Sequence, residues 1–212
     1  MPAGRRTQLL NWAFSQEGRY IIEDDYDSEF RFNGRPIPSL QGMDKNGRVI
    51  YLGTFSRSIA PSIRIAYAVL PANLVAVYRQ RFWTYASTVP RFDQHTLQKF
   101  IADGHFFRHL NRVGTRYRQR KEFLLSEIHR QLGSQAKIYG DKAGLHFLLQ
   151  MKGMEESELV ERARQYGVRV YGLSEYTGRT PPLEGTVVLG YAGMKEAEIQ
   201  EALSLLKKAW VS

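Results

Sequence analysis

Two short stretches of this chain hold the side chains best suited to chemistry. In the first, the apolar run Tyr20-Ile21-Ile22 leads into Glu23-Asp24-Asp25 and then Tyr26. A carboxylate delivered at the end of a strand can face a protonated ring nitrogen and hold the proton there, and Asp24 and Asp25 both qualify. Tyr26 adds a phenol that could hydrogen-bond an oxygen on such a ring. In the second stretch, Thr54, Ser56 and Arg64 bring hydroxyls, backbone amides and a cation to one loop, the donor set that a phosphate needs. Arg57 sits inside that loop. Its guanidinium stays protonated and delocalised, so it cannot act as a neutral amine nucleophile. Taken singly, each piece has an ordinary reading. An acidic triplet commonly caps a loop or faces water, and a lone tyrosine commonly packs. The order and spacing of the pieces raise the chemical reading above the ordinary one.

These side chains need strands to deliver them. Tyr20–Ile22, Val49–Gly53 and Ile65–Leu70 read as strands, with the Ser/Arg loop between the last two. Arg5–Gln16 reads as a helix ended near Gly18, and Phe32–Asn46, rich in Gly, Pro, Asn and Asp, as a loop. Helices are expected over Asn73–Ser87, Phe92–Asp103 and His105–Leu132, although Gly114 weakens the last. Strands then alternate with helices: Lys137–Tyr139 and Leu145–Gln150, helix Glu156–Tyr166, strands Val168–Tyr171 and Val187–Tyr191, and a closing helix Glu196–Trp210. The pattern predicts an α/β architecture in two parts, 1–104 and 105–212.

Composition narrows the classes. At 212 residues the chain can bury a real core. It has no cysteine, which excludes disulfides, thiolate metal sites and cysteine nucleophiles. No apolar run approaches the roughly 20 residues of a membrane span, and the first residues lack a signal-peptide core, so a cytoplasmic protein is expected. The net charge of +9 speaks to steering and non-specific attraction rather than to fold. Arg108, Arg112, Arg116, Arg118, Arg120 and Lys121 are read first as a solvated helix face. His105 and His109, four apart beside Asp103, lack a full ligand set, so no metal is expected.

The segments Gly4–Trp12, Ile21–Phe30, Ile37–Gly42, Tyr51–Tyr67, Ala143–His146, Gly167–Ser174 and Leu189–Ala192 resemble the C-terminal portion of the aminotransferase-like domain of MocR-type regulators, in the GntR group. The match spans nearly the whole chain. The resemblance implies a remnant of the large fold type I aminotransferase domain over 1–104 and the small C-terminal α+β domain over 105–212. It implies pyridoxal 5′-phosphate (PLP) as cofactor, held non-covalently or lost, with Asp24 at the pyridine nitrogen, Tyr26 at the ring oxygen, and Thr54, Ser56 and Arg64 at the phosphate. It also implies an amino acid or PLP–amino acid effector and a homodimer.

Three departures stand out. Arg57 occupies the position of the Schiff-base lysine, so no catalytic residue is assigned. Valine stands just ahead of Val188-Leu189, where related aminotransferases often carry a carboxylate-binding arginine. The winged helix and the first half of the PLP domain have no counterpart, which suggests a truncated form and no DNA contact by this chain alone. The leading expectation is thus a degenerate PLP-binding, effector-sensing domain of a transcription regulator. Two alternatives differ in class: a working aminotransferase with a surrogate amine such as Lys45, and a basic nucleic-acid- or protein-binding module.

Overall fold

The computed structural model describes residues 1, 3–30, 38–142, 144–177 and 183–211. The chain forms two compact units, the first of Met1–Glu29 with Arg35–Asn111 and the second of Phe30–Gly34 with Arg112–Ser212. The division falls inside one helix, past the expected residue 104. Aromatic packing ties the start of that helix to the first unit: Phe106 meets Phe55 and Phe100 edge-on, with ring centroids 5.8 and 6.5 Å apart.

The first unit is built on a three-stranded sheet, order β1-β2-β3, of β1 (Ile21–Asp25), β2 (Val49–Thr54) and β3 (Ala66–Val69). Helix α1 (Ala3–Phe14) buries Leu10 and Ala13. Leu10 joins Leu40, Val49 and the flanking Phe14, Ile21 and Met43 in a small core on one sheet face. Part of the loop expected over 32–46 lies outside the described residues. Within the rest, Leu40–Met43 forms a short helix, α2, where the glycines and asparagine nearby argue for loop alone. Glu23 explains it: its carboxylate accepts the amides of Leu40 and Gln41 at 2.8 and 3.0 Å, while Ser39 accepts from Gly42. Buried Arg6 completes the arrangement, donating to the Pro38 carbonyl at 2.8 Å and pairing with Glu23 at 3.5 Å.

The other sheet face is open. Ile22 and Asp24 of β1 are exposed, as is every residue of β3. Parallel α/β sheets ordinarily bury both faces. Helix α3 (Ala72–Phe82) likewise buries no residue, and it stops five residues before the expected Ser87. With no buried stripe to hold it, it gives way to a turn in which Ser87 accepts the Val89 amide ahead of Pro90. Helix α4 (Arg91–Ala102) follows, then α5 (His105–Leu132), which runs unbroken through Gly114.

The second unit is an antiparallel sheet, order β4-β5-β7-β6, with helices packed on it. Its strands are β4 (Ala136–Tyr139), β5 (His146–Met151), β6 (Tyr171–Gly172) and β7 (Thr186–Gly190). Alternate residues of β5, Phe147, Leu149 and Met151, are buried with Val187 of β7. Helices α6 (Glu156–Gln165) and α7 (Glu196–Val211) cover them with Leu159, Ala163, Ile199, Leu203, Leu206 and Trp210 at helical spacing. The distal part of α5 adds Leu124, Ile128 and Leu132. The strand expected over Val168–Tyr171 shrinks to two residues, because Gly167 turns the chain at φ 76° and only Tyr171 and Gly172 reach β7. No helix among the described residues is long and apolar enough to cross a membrane.

Candidate functional site

Strand pairing brings the candidate residues to one end of the first sheet. β1 and β2 are parallel, with Asp24 opposite Leu52 and Asp25 opposite Gly53. β3 returns antiparallel, with Ala66 opposite Thr54. The carboxyl ends of β1 and β2 and the start of β3 therefore lie side by side. Asp24, Tyr26, Thr54, Ser56, Arg57 and Arg64 all sit on those strand ends or on the loops that leave them.

Alternation along β1 gives its three acids different duties. Glu23 caps α2, as described above. Asp25 lies on the same covered face as Tyr51 and accepts its phenolic proton at 2.9 Å. Asp24 points to the open face, exposed and without a hydrogen bond or ion pair among the described residues. Of the two aspartates that the sequence leaves open, Asp24 is the one available to a ligand.

The Tyr51–Asp25 pair has a consequence for titration. Burial first, then the hydrogen bond and charge of Asp25, push the Tyr51 phenol above the ordinary tyrosine range. The unfolded chain gives up this proton near pH ~10 while the folded chain keeps it. The contribution to stability is whole below that pH and is lost as pH climbs towards the folded value. Urea denaturation on either side of it should show stability falling with pH, and Tyr51→Phe should flatten that fall.

Thr54 and Arg64 shape the loop. The Thr54 hydroxyl donates to the Ile65 carbonyl at 3.2 Å and accepts the Ser56 amide at 3.2 Å, so it closes the turn. It could give a proton to a phosphate only by releasing Ile65. Phe55 and Ile65 add a backbone bond at 3.0 Å. Arg64 has φ 48°, the sole described non-glycine residue with positive φ. Such a backbone costs of order 1–3 kcal/mol and gathers at functional sites. Arg57 and Arg64 are exposed, and neither has a hydrogen bond or ion pair among the described residues. Tyr26, 42% exposed, is equally unengaged.

Three features of this region escape a reading of the sequence. Ser58, next to Arg57, is 1% exposed, and its hydroxyl finds no partner among the described residues. Gly53 lies under the Tyr67 ring so closely that any side chain there would displace it. Tyr51 holds Asp25. Only the fold shows these, since none forms a local motif.

The other candidates are used differently. His105 Nδ1 meets Arg108 at 2.9 Å and its ring stacks on Phe100, while His109 faces the same phenylalanine with Nε2 buried and without a partner among the described residues. Among the described residues no three His, Cys, Asp or Glu side chains form a metal-binding group. Arg120 and Lys121 of the basic run donate to the carbonyls of Ala192 and Asp141, at 2.5 and 2.9 Å. Arg112, Arg116 and Arg118 are spread along the same helix, α5.

Comparison with known proteins identifies the family and the fold. The family model described as "Aminotransferase class I and II" matches residues 13–206. An uncharacterized HTH-type transcriptional regulator of Bacillus subtilis (strain 168), YdeL, is 43% identical over 99% of this chain and 45% of its own length. The probable rhizopine catabolism regulatory protein MocR of Rhizobium meliloti is 36% identical over 91% of this chain and 39% of its own. The chain thus spans less than half the length of these relatives. Among solved structures, the α-aminoadipate aminotransferase LysN of Thermus thermophilus, complexed with N-(5′-phosphopyridoxyl)-L-leucine, is similar with a TM-score of 0.80 and 26% identity, over 99% of this chain and 54% of LysN. The fold is therefore that of the fold type I aminotransferases. The chain belongs to the class I and II aminotransferase family, and the regulators it matches make it akin to the aminotransferase-like domain of MocR-type proteins.

Proposed function

We propose that this chain is the ligand-sensing, aminotransferase-like part of a MocR-type transcription regulator, and that it holds PLP or a PLP–amino acid adduct without a covalent bond and without turnover. In this reading 1–104 corresponds to the large domain and 105–212 to the small one, and the ligand is an effector read by a homodimer. PLP supplies, when bound, an electron-accepting pyridinium ring and an aldehyde. Asp24 keeps the ring nitrogen protonated, Tyr26 meets the ring oxygen, and Ser56 and Arg64, with Thr54 behind them, take the phosphate.

The observation that carries the reading is the sorting of charges at the sheet end. One unengaged carboxylate, Asp24, and two unengaged guanidiniums, Arg57 and Arg64, lie on adjacent strand ends of an aminotransferase fold. They suit a ligand that is cationic at one end and anionic elsewhere. They do not suit covalent capture, because the lysine position holds Arg57. The working-aminotransferase alternative needs another amine, and Lys45 is at the wrong end of β2. It precedes Val49, where the strand starts, whereas the candidate site follows Thr54, where it ends. That is about 16 Å away along the strand.

Binding of PLP to the purified chain, followed by equilibrium dialysis, tests the reading. Asp24→Asn should weaken binding roughly tenfold or more by loss of a charge-assisted bond, with the denaturation midpoint unchanged. Asp25→Asn should shift the midpoint instead, since Asp25 serves Tyr51. Equal affinity for wild type and Asp24→Asn would refute the assignment. Arg64→Gly should separate stability from binding. Relief of the left-handed backbone stabilises the fold by about 1 kcal/mol, while loss of the guanidinium weakens phosphate binding. Thermal melting and dialysis on one preparation measure both.

A further inference from the structure

We infer that Arg57 turns this site towards ring phosphates that carry a carboxylate where PLP carries its aldehyde. The inference rests on the proposed function and names the ligand class that the site prefers. Arg57 lies three residues beyond Thr54, the last residue of β2. Its neighbours hold the turn from both sides: Ser58 is buried at 1% exposure, and the Ile59 amide donates to the Phe55 carbonyl at 2.8 Å. The guanidinium thus projects from an anchored turn while remaining exposed itself.

Charge complementarity then selects the ligand. Among the strand-end groups that have no hydrogen bond or ion pair with another described residue, Asp24 is negative and Arg57 and Arg64 are positive, while the neighbouring Asp25 is held by Tyr51. PLP answers only two of these, with its pyridinium and its phosphate, and its neutral aldehyde leaves Arg57 unmatched. A lysine there would gain from condensing with the aldehyde, but a guanidinium never becomes the neutral amine that condensation needs. What a guanidinium does well is grip a carboxylate through two parallel N–H···O bonds. The acid form of the same molecule, 4-pyridoxic acid 5′-phosphate, presents its carboxylate on the ring carbon that bears the aldehyde in PLP. Each of its three charged groups then has a group of opposite sign to meet. No bond is made or broken, and no co-reactant is required.

The test compares three ligands that differ only at that carbon: the acid, PLP itself and the alcohol pyridoxine 5′-phosphate. Each is titrated into the full chain by isothermal calorimetry. The acid should bind at least roughly tenfold more tightly than the alcohol, as a charge-assisted pair implies, and the preference should weaken with salt. Arg57→Gln should bring the ratio near one, whereas Asp24→Asn should weaken both ligands and leave the ratio in place. Acid and alcohol binding alike would overturn the inference and leave the proposed function standing. Failure of all three to bind would overturn both. A ratio that survives in Arg57→Gln would assign the preference to another residue and overturn the role of Arg57.

Discussion

Arg57→Lys should give this chain the covalent bond to PLP that the proposed function denies to the unaltered protein. The reason is the protonation chemistry of a single side chain. A lysine amine near pKa ~10.4 can be brought neutral by its surroundings, whereas arginine, at ~12.5–13.8, effectively cannot. Arg64 lies on the neighbouring strand end, no carboxylate is paired to position 57 among the described residues, and the whole chain carries +9. A cationic neighbour makes an amine easier to deprotonate. The variant should therefore acquire a visible absorbance band with PLP that dialysis does not remove, and the wild type should lose all bound PLP on dialysis. This is the largest functional change that one substitution in the chain is expected to produce. A wild type that retains the band would show that another residue supplies the amine.

Trp210→Ala should cause the largest loss of stability. Trp210 is 4% exposed in the core of the second unit, and its indole N–H donates to the Leu159 carbonyl of α6 at 3.0 Å. The substitution removes the largest side chain that α7 brings to the sheet and takes away the indole donor that ties α7 to the Leu159 carbonyl of α6. Such truncations cost about 3–5 kcal/mol, a large share of the ~5–15 kcal/mol that holds a typical domain together. Trp83 is the control, since it is 80% exposed and its truncation should cost under about 0.5 kcal/mol. Urea denaturation followed by far-UV circular dichroism distinguishes them, and similar midpoints for the two variants would contradict the packing described for α7.

The second unit is the more legible part of the sequence. Ile199, Leu203, Leu206 and Trp210 recur at helical spacing, and all four are buried. Their periodicity is real because the unit has a complete core to face. In the first unit the same logic overreaches. Asn73–Ser87 has apolar residues enough for a longer helix, yet α3 ends at Phe82 and buries none of them. Propensity alone does not hold a helix that lacks a packing partner. The short helix α2 is hidden for the opposite reason. It exists because Glu23, on strand β1, and Ser39 satisfy its first amides, and a residue 17 positions away leaves no local signal.

At the candidate site, residue types and order point to strand ends that the fold brings side by side, but they do not separate the roles of adjacent acids. Glu23, Asp24 and Asp25 look alike in sequence. Register makes one a helix cap, one a tyrosine partner and one an open carboxylate. Period-two alternation holds the answer in principle, but only once the covered face is known. Thr54 shows the converse. Its hydroxyl suits a phosphate by type, and the structure gives it the turn to close. The strained backbone at Arg64 has no signal at all, because nothing in the sequence announces a left-handed arginine.

The central claim is that this site keeps its ligand by charge and not by a covalent bond. The direct test is to incubate the unaltered chain with PLP, reduce with borohydride, and map the pyridoxyl label by peptide mass spectrometry. The account predicts no stoichiometric label on any residue between Asp24 and Arg64, with scattered label on exposed lysines, Lys45 included, at most. A stoichiometric label in that stretch, on Lys45 or any other residue, would contradict it.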